Sequence, residues 1–339
     1  MKIDVAGFAR PIDAGASAAA IEAGGYDAFW SAEASHDVFM ALMLAAEHTS
    51  TISLGTGIAI AFARTPMTVA ISANDLQLHS RGRFLLGLGP QIKPHITKRY
   101  SMPWSAPAAR MREFVQAMHA IWDCWATGEP LGFRGEFYTH TLMTPIFSPG
   151  PNPYGRPPVY LAGVGAKMTE VAGEVADGFS CHPIATPKFI REVTLPALER
   201  GRANAARDLG KIEIGAMPFV VTGATQEAFD QAVTATKMQM GFYFSTPSYR
   251  PVLEVHGFGD LQDELNAMSK RGEWVEMGKA IPDDVFAEFA CVGEPHEIAE
   301  KLTARFGGLV DRVSLNTTYE SDPSLWPPIV AAMRALSTS

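Results

Sequence analysis

The sequence lacks the features that mark several large classes of protein. Its 339 residues hold three cysteines, odd in number and without a Cys-x-x-Cys pair, which counts against a disulfide framework or structural zinc. We expect Cys124, Cys181 and Cys291 to be buried thiols in a reducing compartment. No run of Lys or Arg occurs and the net charge is only −8, so no nucleic-acid or polybasic membrane contact is predicted.

Long hydrophobic stretches and a leader pattern are missing as well. The longest uncharged apolar stretch, residues 53–63, is too short to cross a bilayer. Residues 1–11 contain no apolar leader core. We therefore expect a cytoplasmic protein whose partner is a small molecule.

Signatures of several reaction classes are also absent. The sequence contains no G-x-S-x-G elbow, no H-E-x-x-H, no G-x-x-x-x-G-K-[ST] and no close cluster of His, Cys and carboxylates at metal-ligand spacing. Hydrolase, metalloenzyme and P-loop interpretations therefore lose support, and redox chemistry on a bound cofactor becomes the better hypothesis. Cys181 and His182 are adjacent, but neighbours in a strand point to opposite faces, so no nucleophilic dyad is predicted.

What the sequence has in abundance is apolar residues in a regular alternation. Hydrophobic residues make up 47% of the chain, enough for a large core. Eight β-like runs are each followed by a helical pattern. The predicted strands are Ile3–Ala6, Ala28–Ser31, Ile52–Ile60, Phe84–Leu88, Val159–Ala162, Gly178–Cys181, Glu213–Val221 and Val313–Asn316; the predicted helices are Ala14–Ala23, Val38–His48, Pro66–His79, Ala108–Trp125, Ala166–Ala176, Pro187–Asp208, Thr225–Gly241 and Leu325–Leu336. Strict alternation predicts a parallel α/β sheet, and eight units favour a closed (β/α)8 TIM barrel over an open sheet.

Two stretches interrupt the alternation. They are residues 128–158, rich in Pro and Gly, and residues 242–282, which carry a predicted helix over 260–279. Long insertions in a compact domain usually act as lids or binding loops. We therefore predict a single barrel domain over residues 1–339 with two functional insertions.

A histidine lies just after the second predicted strand, where barrel enzymes place catalytic groups. His36 could transfer a proton near neutral pH, and Asp37 or Glu33 could fix its tautomer. The alternative is structural, with Asp37 capping the helix that begins near Val38 and His36 a bystander.

Glycines mark further candidate contacts. Gly55 and Gly57 interrupt the third strand, which indicates either close approach by a ligand or relief of crowding inside the barrel. Glycine-rich turns at 87–91 and 162–168 follow the fourth and fifth strands. The second turn leads into a helix, so its free amides and Lys167 could hold a phosphate, although a plain strand-to-helix turn would look the same.

Several of these segments together resemble the bacterial luciferase-like monooxygenase superfamily. The order and spacing match over most of the chain and are weakest in the two insertions. The segments that carry the resemblance are Glu22–Trp30, His36-Asp37, Leu54–Ile58 with Arg64–Pro66, and Ser80–Gly89. Within that superfamily the chain is most similar to the branch that uses the deazaflavin coenzyme F420, and this likeness extends through Tyr160–Phe179 and Phe289–Pro295.

The resemblance implies a barrel with insertions, a homodimer or larger assembly, and a flavin at the C-terminal mouth. It assigns His36 to the active site, supported by Asp37 and Glu33. It also makes Gly57-Ile58 a bulge behind the ring, often with a non-prolyl cis peptide. The segment 163–168 matches the site of the phosphate-bearing tail, and 89–95 matches part of the cofactor wall. The implied cofactor contacts are Ser35, Thr56, Gly57, Ile58, Gly89, Gln91, His95, Gly163, Val164, Gly165, Ala166, Lys167 and Met168.

The implied activity is hydride transfer between coenzyme F420 and a small organic substrate held under the insertions. In the F420-using sugar-phosphate dehydrogenases the histidine follows an aspartate, whereas Ser35 precedes His36 here, so a sugar phosphate is not expected. An FMN-dependent monooxygenase that activates dioxygen is one alternative, and a non-catalytic flavin-binding member of the fold is another. Phe8 and Trp30 are candidates for the substrate pocket or, equally, for the barrel core.

Overall fold

Eight parallel strands close into a barrel in the computed structural model, which describes residues 1–338. The strands are β1 (Lys2–Gly7), β2 (Ala28–Ser31), β3 (Ser53–Thr56), β4 (Phe84–Gly89), β5 (Val159–Gly163), β6 (Gly178–Cys181), β7 (Glu213–Ala216) and β8 (Arg312–Leu315). Each strand pairs with the next, and β8 pairs with β1. The predicted (β/α)8 barrel is therefore confirmed.

Twelve helices of six or more residues surround or extend this barrel within the described chain. They are α1 (Ala14–Ala23), α2 (Val38–Glu47), α3 (Pro66–His79), α4 (Pro107–Thr127), α5 (Ala166–Val175), α6 (Leu195–Arg202), α7 (Gln226–Phe244), α8 (Gly259–Arg271), α9 (Trp274–Lys279), α10 (Asp283–Phe289), α11 (Pro295–Phe306) and α12 (Trp326–Thr338). Polar residues begin several of them: Asp37 caps α2 and Thr65 caps α3, with Pro66 at the first helical position. None of the helices in residues 1–338 combines the length and apolarity that a bilayer crossing requires.

Large aromatic rings fill the lower half of the barrel. Trp30 and Tyr160 point inward and meet edge to face, with ring centroids 5.2 Å apart. A side chain at Gly55 would collide with the Trp30 ring, and one at Gly178 with the Tyr160 ring. The strand glycines therefore relieve crowding inside the barrel. Trp30 is 5% exposed, so it belongs to the core and not to a substrate pocket.

Above this layer the inward-facing residues are small. Ala6, Ala162, Ser180 and Gly215 alternate with residues that point outward into the helical layer. All four are partly exposed, although they lie on barrel strands. The upper half of the barrel is therefore an open cup at the carboxyl ends of the strands.

A lobe over residues 219–292 connects β7 to α11, the outer helix that precedes β8. Its own hydrophobic cluster includes Phe219, Phe244, Leu265 and Phe289. The predicted strand 213–221 breaks at Met217-Pro218, and its second part, Phe219–Val221, pairs with Ala290–Val292. The predicted helix 260–279 is two helices, because Gly272 ends α8 in the left-handed region (φ 76°).

The lobe corrects one helix assignment. We expected Thr225–Gly241 to be the outer helix between the last two barrel strands, but α7 packs chiefly on α9 within the lobe. The outer helix at that position is α11, which packs against α12. The lobe therefore starts and ends outside the predicted insertion 242–282. The first insertion contains a short antiparallel hairpin, Phe133–Arg134 with Thr139–His140, and a 3-10 helical turn, Pro145–Phe147, and is otherwise irregular.

Candidate active site at the barrel mouth

The loop after β2 is held to the segment after β3 by one arginine. Arg64 donates to both carboxylate oxygens of Glu33, at 2.6 and 2.7 Å, and to Asp37 at 2.9 Å. Glu33 also accepts from the amide of Ile60 at 2.7 Å. The Arg64 guanidinium lies over the Phe39 ring, 5.4 Å from its centroid. We call the contacts of Arg64 with Glu33 and Asp37 the Arg64 staple. Because Glu33 and Asp37 flank His36 in sequence, the staple fixes both ends of the histidine loop.

The staple changes the roles expected for the two carboxylates. Asp37 accepts from the amides of Phe39 and Met40 at 2.9 and 3.1 Å, so it caps α2, as the structural alternative proposed. The hydrogen bonds of Glu33 go to Arg64 and Ile60, and neither carboxylate bonds to His36. Ser35 and His36 are exposed, and no residue in 1–338 forms a hydrogen bond with the His36 ring. His36 is thus displayed on a rigid loop with both ring nitrogens available.

The bulge after β3 lies directly beside this loop. The Gly57–Ile58 peptide bond is cis, as the resemblance implied. The Gly57 amide donates to the Ser31 carbonyl at 2.7 Å, and the Glu33 amide donates to the Ile58 carbonyl at 3.3 Å. A Cβ at Gly89, the last residue of β4, would lie only 3.0 Å from the Ile58 side chain. The glycine therefore leaves room for the bulge.

Thr56 is placed differently from the prediction. Its hydroxyl donates to the Gly87 carbonyl at 2.7 Å, and the residue is fully buried between β3 and β4. A molecule in the mouth therefore does not reach this side chain. Thr56 stabilises the strand pair that carries the bulge.

The segment after β4 forms another part of the rim. Gln91 has a left-handed backbone (φ 60°), and its side-chain oxygen accepts from the Ile92 amide at 3.0 Å. His95 is exposed and begins a short π-helical turn, His95–Arg99. Arg99 at the end of this turn donates to the Ala34 carbonyl. The turn that follows the predicted wall 89–95 therefore contacts the His36 loop through Arg99.

The turn after β5 presents unpaired backbone donors. Gly165 precedes α5 and supplies no capping side chain. The amides of Ala166 and Lys167 bond to no group in the described residues, and Gly165, Ala166 and Lys167 are exposed. The Lys167 ammonium likewise has no ion-pair partner in residues 1–338. Gly163 leaves room for Met168, since a Cβ there would lie 2.7 Å from the Met168 Cγ.

Sequence reasoning missed a cluster after β6. His182 contacts Tyr243 and Tyr249 of the lobe, with ring centroids 4.7 and 4.6 Å away. Burial lowers the pKa of His182 to about 3 and raises that of Cys181 to about 12. Cys181 lies in the outer core, on the opposite face of the strand from His182. The position of His182 after a strand end, the same signal that selected His36, could have identified it.

The opposite end of the barrel has a cleft of about 530 Å³, but its lining does not suit an active site. Its charged groups are paired, Lys2 with Glu213 at 3.0 Å and Lys211 with Asp311 at 2.6 Å. In barrels of this kind, residues at the amino ends of the strands serve stability and those at the carboxyl ends serve function. No group of three His, Cys, Asp or Glu side chains in the described part of the chain has metal-binding geometry.

Comparison with known proteins identifies the family of this chain. An uncharacterized protein of Mycobacterium tuberculosis is 54% identical over 306 residues, which cover 90% of this chain and 89% of that protein. The 5,10-methylenetetrahydromethanopterin reductase of Archaeoglobus fulgidus is 25% identical over 83% of this chain and 82% of that enzyme. The structure of the coenzyme F420 dependent tetrahydromethanopterin reductase of Methanopyrus kandleri has the same fold, with a TM-score of 0.78 at 22% identity over 97% of this chain and 96% of that one. The profile of the luciferase-like monooxygenases matches residues 5–312, and the chain therefore belongs to the luciferase-like monooxygenase family.

Proposed function

We propose that this protein is an F420-dependent oxidoreductase that transfers a hydride between the deazaflavin and a small organic substrate. The similarity to F420-dependent enzymes supports the cofactor, and the open cup at the carboxyl ends of the strands supports the location. When bound, a deazaflavin supplies or accepts a hydride at its ring carbon.

The observation that carries the proposal is the uncapped start of α5. Two free amides and the positive end of the helix dipole lie beside the mouth, and the exposed Lys167 belongs to the same turn. A negatively charged group satisfies all three, and a phosphate-bearing cofactor tail provides one. We assign this role to residues 163–168 except Met168, whose buried side chain packs in the core.

The remaining residues divide into ring-facing and positioning groups. We propose that the Gly57-Ile58 bulge and the rim 89–95 border the ring, with Ser35 near its edge. His36 donates or accepts the proton that accompanies hydride transfer, because it is exposed and has no protein partner in residues 1–338. Glu33 and Asp37 act through Arg64 as positioning residues, since Arg64 and backbone amides take their hydrogen bonds.

Absorbance titrations with F420 and FMN in parallel test the cofactor. We expect F420 to bind with a dissociation constant on the order of micromolar and FMN to bind at least tenfold more weakly. Tight FMN binding without F420 binding would replace the proposal with an FMN-dependent monooxygenase. Failure of both cofactors would favour the non-catalytic form.

A further inference from the structure

The mouth has a second polar feature opposite His36, on the far side of the barrel. Strands β2 and β6 are four positions apart in the eight-stranded ring, so their loops face each other across the cup. Gly178 faces the interior, because a side chain there would meet Tyr160. By strand alternation Ser180 and His182 extend the same inward row, whereas Cys181 points outward. His182 therefore lies on the cup side of its loop.

Two tyrosines of the lobe enclose this histidine. Tyr243, near the end of α7, meets the His182 ring at an interplanar angle of 76°, and Tyr249 meets it at 49°. Phe219 lies behind Tyr243, with ring centroids 6.2 Å apart. The cluster joins the lobe to the barrel and forms an aromatic wall with a polar centre.

The wall offers hydrogen-bond donors without charge. The Nδ1 atom of His182 accepts from the Ile184 amide over 3.4 Å, so the ring proton resides on Nε2. That nitrogen has no hydrogen-bond partner in residues 1–338, and the protein does not enclose it completely. Burial raises the pKa of Tyr249 to about 12, so its hydroxyl also remains a donor at neutral pH.

Two cations on the elements that carry this wall are committed elsewhere. Lys188 donates to the Val255 carbonyl at 2.7 Å, and Arg250 binds Glu254 and Asp263, each at 2.7 Å. Burial lowers the pKa of His182, which keeps the ring neutral at neutral pH. This wall differs from the start of α5, where positive charge and free amides favour an anion.

We propose that the His182–Tyr243–Tyr249 cluster is the substrate-facing wall of the mouth and takes an uncharged, largely apolar molecule through a carbonyl or hydroxyl oxygen. The oxygen accepts a hydrogen bond from Nε2 of His182 or from the Tyr249 hydroxyl, and the aromatic rings cover the apolar frame. An anion has no counter-charge at this wall and would lose its hydration. The substrate class rests on the proposed function, whereas the binding wall does not.

Two similar probes, acetophenone and benzoate, separate neutral from anionic recognition. Binding is measured by saturation-transfer NMR on the full chain without added cofactor. We expect acetophenone to bind and benzoate to bind at least tenfold more weakly. Tyr249→Phe removes a single hydroxyl and His182→Phe removes the imidazole donor but keeps a ring. At least one of them should weaken acetophenone binding by roughly two- to tenfold. Tyr154→Phe and His79→Phe, both outside the cup, are the matched controls and should leave binding unchanged.

Three results would overturn this proposal: equal or tighter binding of benzoate, no acetophenone binding up to its solubility limit, or unchanged acetophenone binding in both cluster variants. Circular dichroism checks that each variant folds. If His182→Phe fails to fold, the result for Tyr249→Phe decides alone. An F420 titration of the same samples separates the two proposals. If F420 binds but acetophenone binding does not depend on the cluster, only the proposed wall is refuted. If acetophenone binding depends on the cluster but F420 does not bind, only the proposed cofactor is refuted.

Discussion

The two ends of the barrel differ in whether the polar groups described here have partners within the protein. At the amino ends of the strands, Arg312 donates to Asp4 at 2.5 and 3.1 Å and to Glu213 at 3.1 Å. The Trp30 indole donates to Asp4 at 2.8 Å, and the Tyr160 hydroxyl donates to Glu213 at 2.7 Å. At the carboxyl ends, His36, Lys167 and the first amides of α5 have no partner within residues 1–338.

The difference separates stability from function along one axis. A buried charge without a partner costs several kcal/mol. The amino end of the barrel, closed by the Trp30 and Tyr160 rings and called the closed end below, therefore tolerates charge only as a connected network. Exposed donors at the mouth avoid that cost and remain free for a ligand. We therefore expect substitutions at the closed end to change unfolding and leave binding intact, and the reverse at the mouth.

The largest expected effect is on stability, from Arg312→Met. The substitution keeps most of the aliphatic volume but leaves the fully buried Asp4 carboxylate without its cation. We expect a loss of about 3–5 kcal/mol in the free energy of unfolding, measured by urea denaturation. Lys2→Met is the control, because Lys2 is a half-exposed partner of Glu213 and should cost less than about 1 kcal/mol. Equal effects of the two variants would contradict the division between the ends.

His36→Ala should show the opposite behaviour. We expect turnover to fall by at least about a hundredfold, equivalent to ~3 kcal/mol in the activation barrier, because the proton carrier is lost. Stability should change by less than about 0.5 kcal/mol, since the side chain is exposed. F420H2 oxidation with the best substrate from a ketone panel measures turnover, and His79→Ala on α3 is the control. Turnover within threefold of the wild type, with cofactor bound, would remove His36 from the mechanism.

Gly165→Asp sharpens the contrast at one residue. Gly165 has an extended backbone (φ −75°, ψ 140°) and open space where a Cβ would project, so aspartate fits as an N-cap for α5. Its carboxylate would take the free amides and repel a phosphate. We expect F420 affinity to fall by roughly tenfold or more while stability rises by a few tenths of a kcal/mol.

Gly165→Ala is the matched control for this substitution, because it adds the Cβ without the charge. Its F420 affinity should stay within about twofold of the wild type. An undiminished F420 affinity in Gly165→Asp would show that the tail binds elsewhere.

The barrel itself could be predicted from sequence because parallel strands buried on both faces leave continuous apolar runs such as Phe84–Leu88. The lobe was harder, since its short strand Ala290–Val292 pairs with Phe219–Val221 some seventy residues earlier. The signal for α11 was nevertheless present: Glu294 and Glu297 form a capping box around Pro295. Gly272 likewise marked the end of α8.

At the mouth, the sequence predicted the locations of residues better than their side-chain contacts. Residues that follow strand ends, such as His36 and Gly165, could be located by counting units. The Arg64 staple could not, because its contacts with Glu33 and Asp37 span 31 and 27 residues and depend on two loops meeting. Thr56 looked like a ligand contact because the sequence does not show that its hydroxyl turns toward Gly87. Strand alternation could have identified His182, because it lies two residues after the inward-facing Ser180.

The smallest expected effect lies outside the mouth and depends on pH. Burial opposes ionisation of Glu22, but hydrogen bonds from the amides of Ile52, Thr51 and Ser50 lower its pKa from 4.5 to about 2. A lowered carboxyl pKa stabilises the fold above pH 4.5, and that contribution declines as the pH falls toward 2. Because Glu22 is largely solvent-screened, Glu22→Gln should cost only about 1 kcal/mol at pH 7, with F420 affinity unchanged. Urea denaturation at pH 7, 5, 4 and 3 measures the difference, which should be constant down to about pH 5 and shrink below it. A difference that stays constant to pH 3 would show that the carboxylate's charge does not hold the loop before β3.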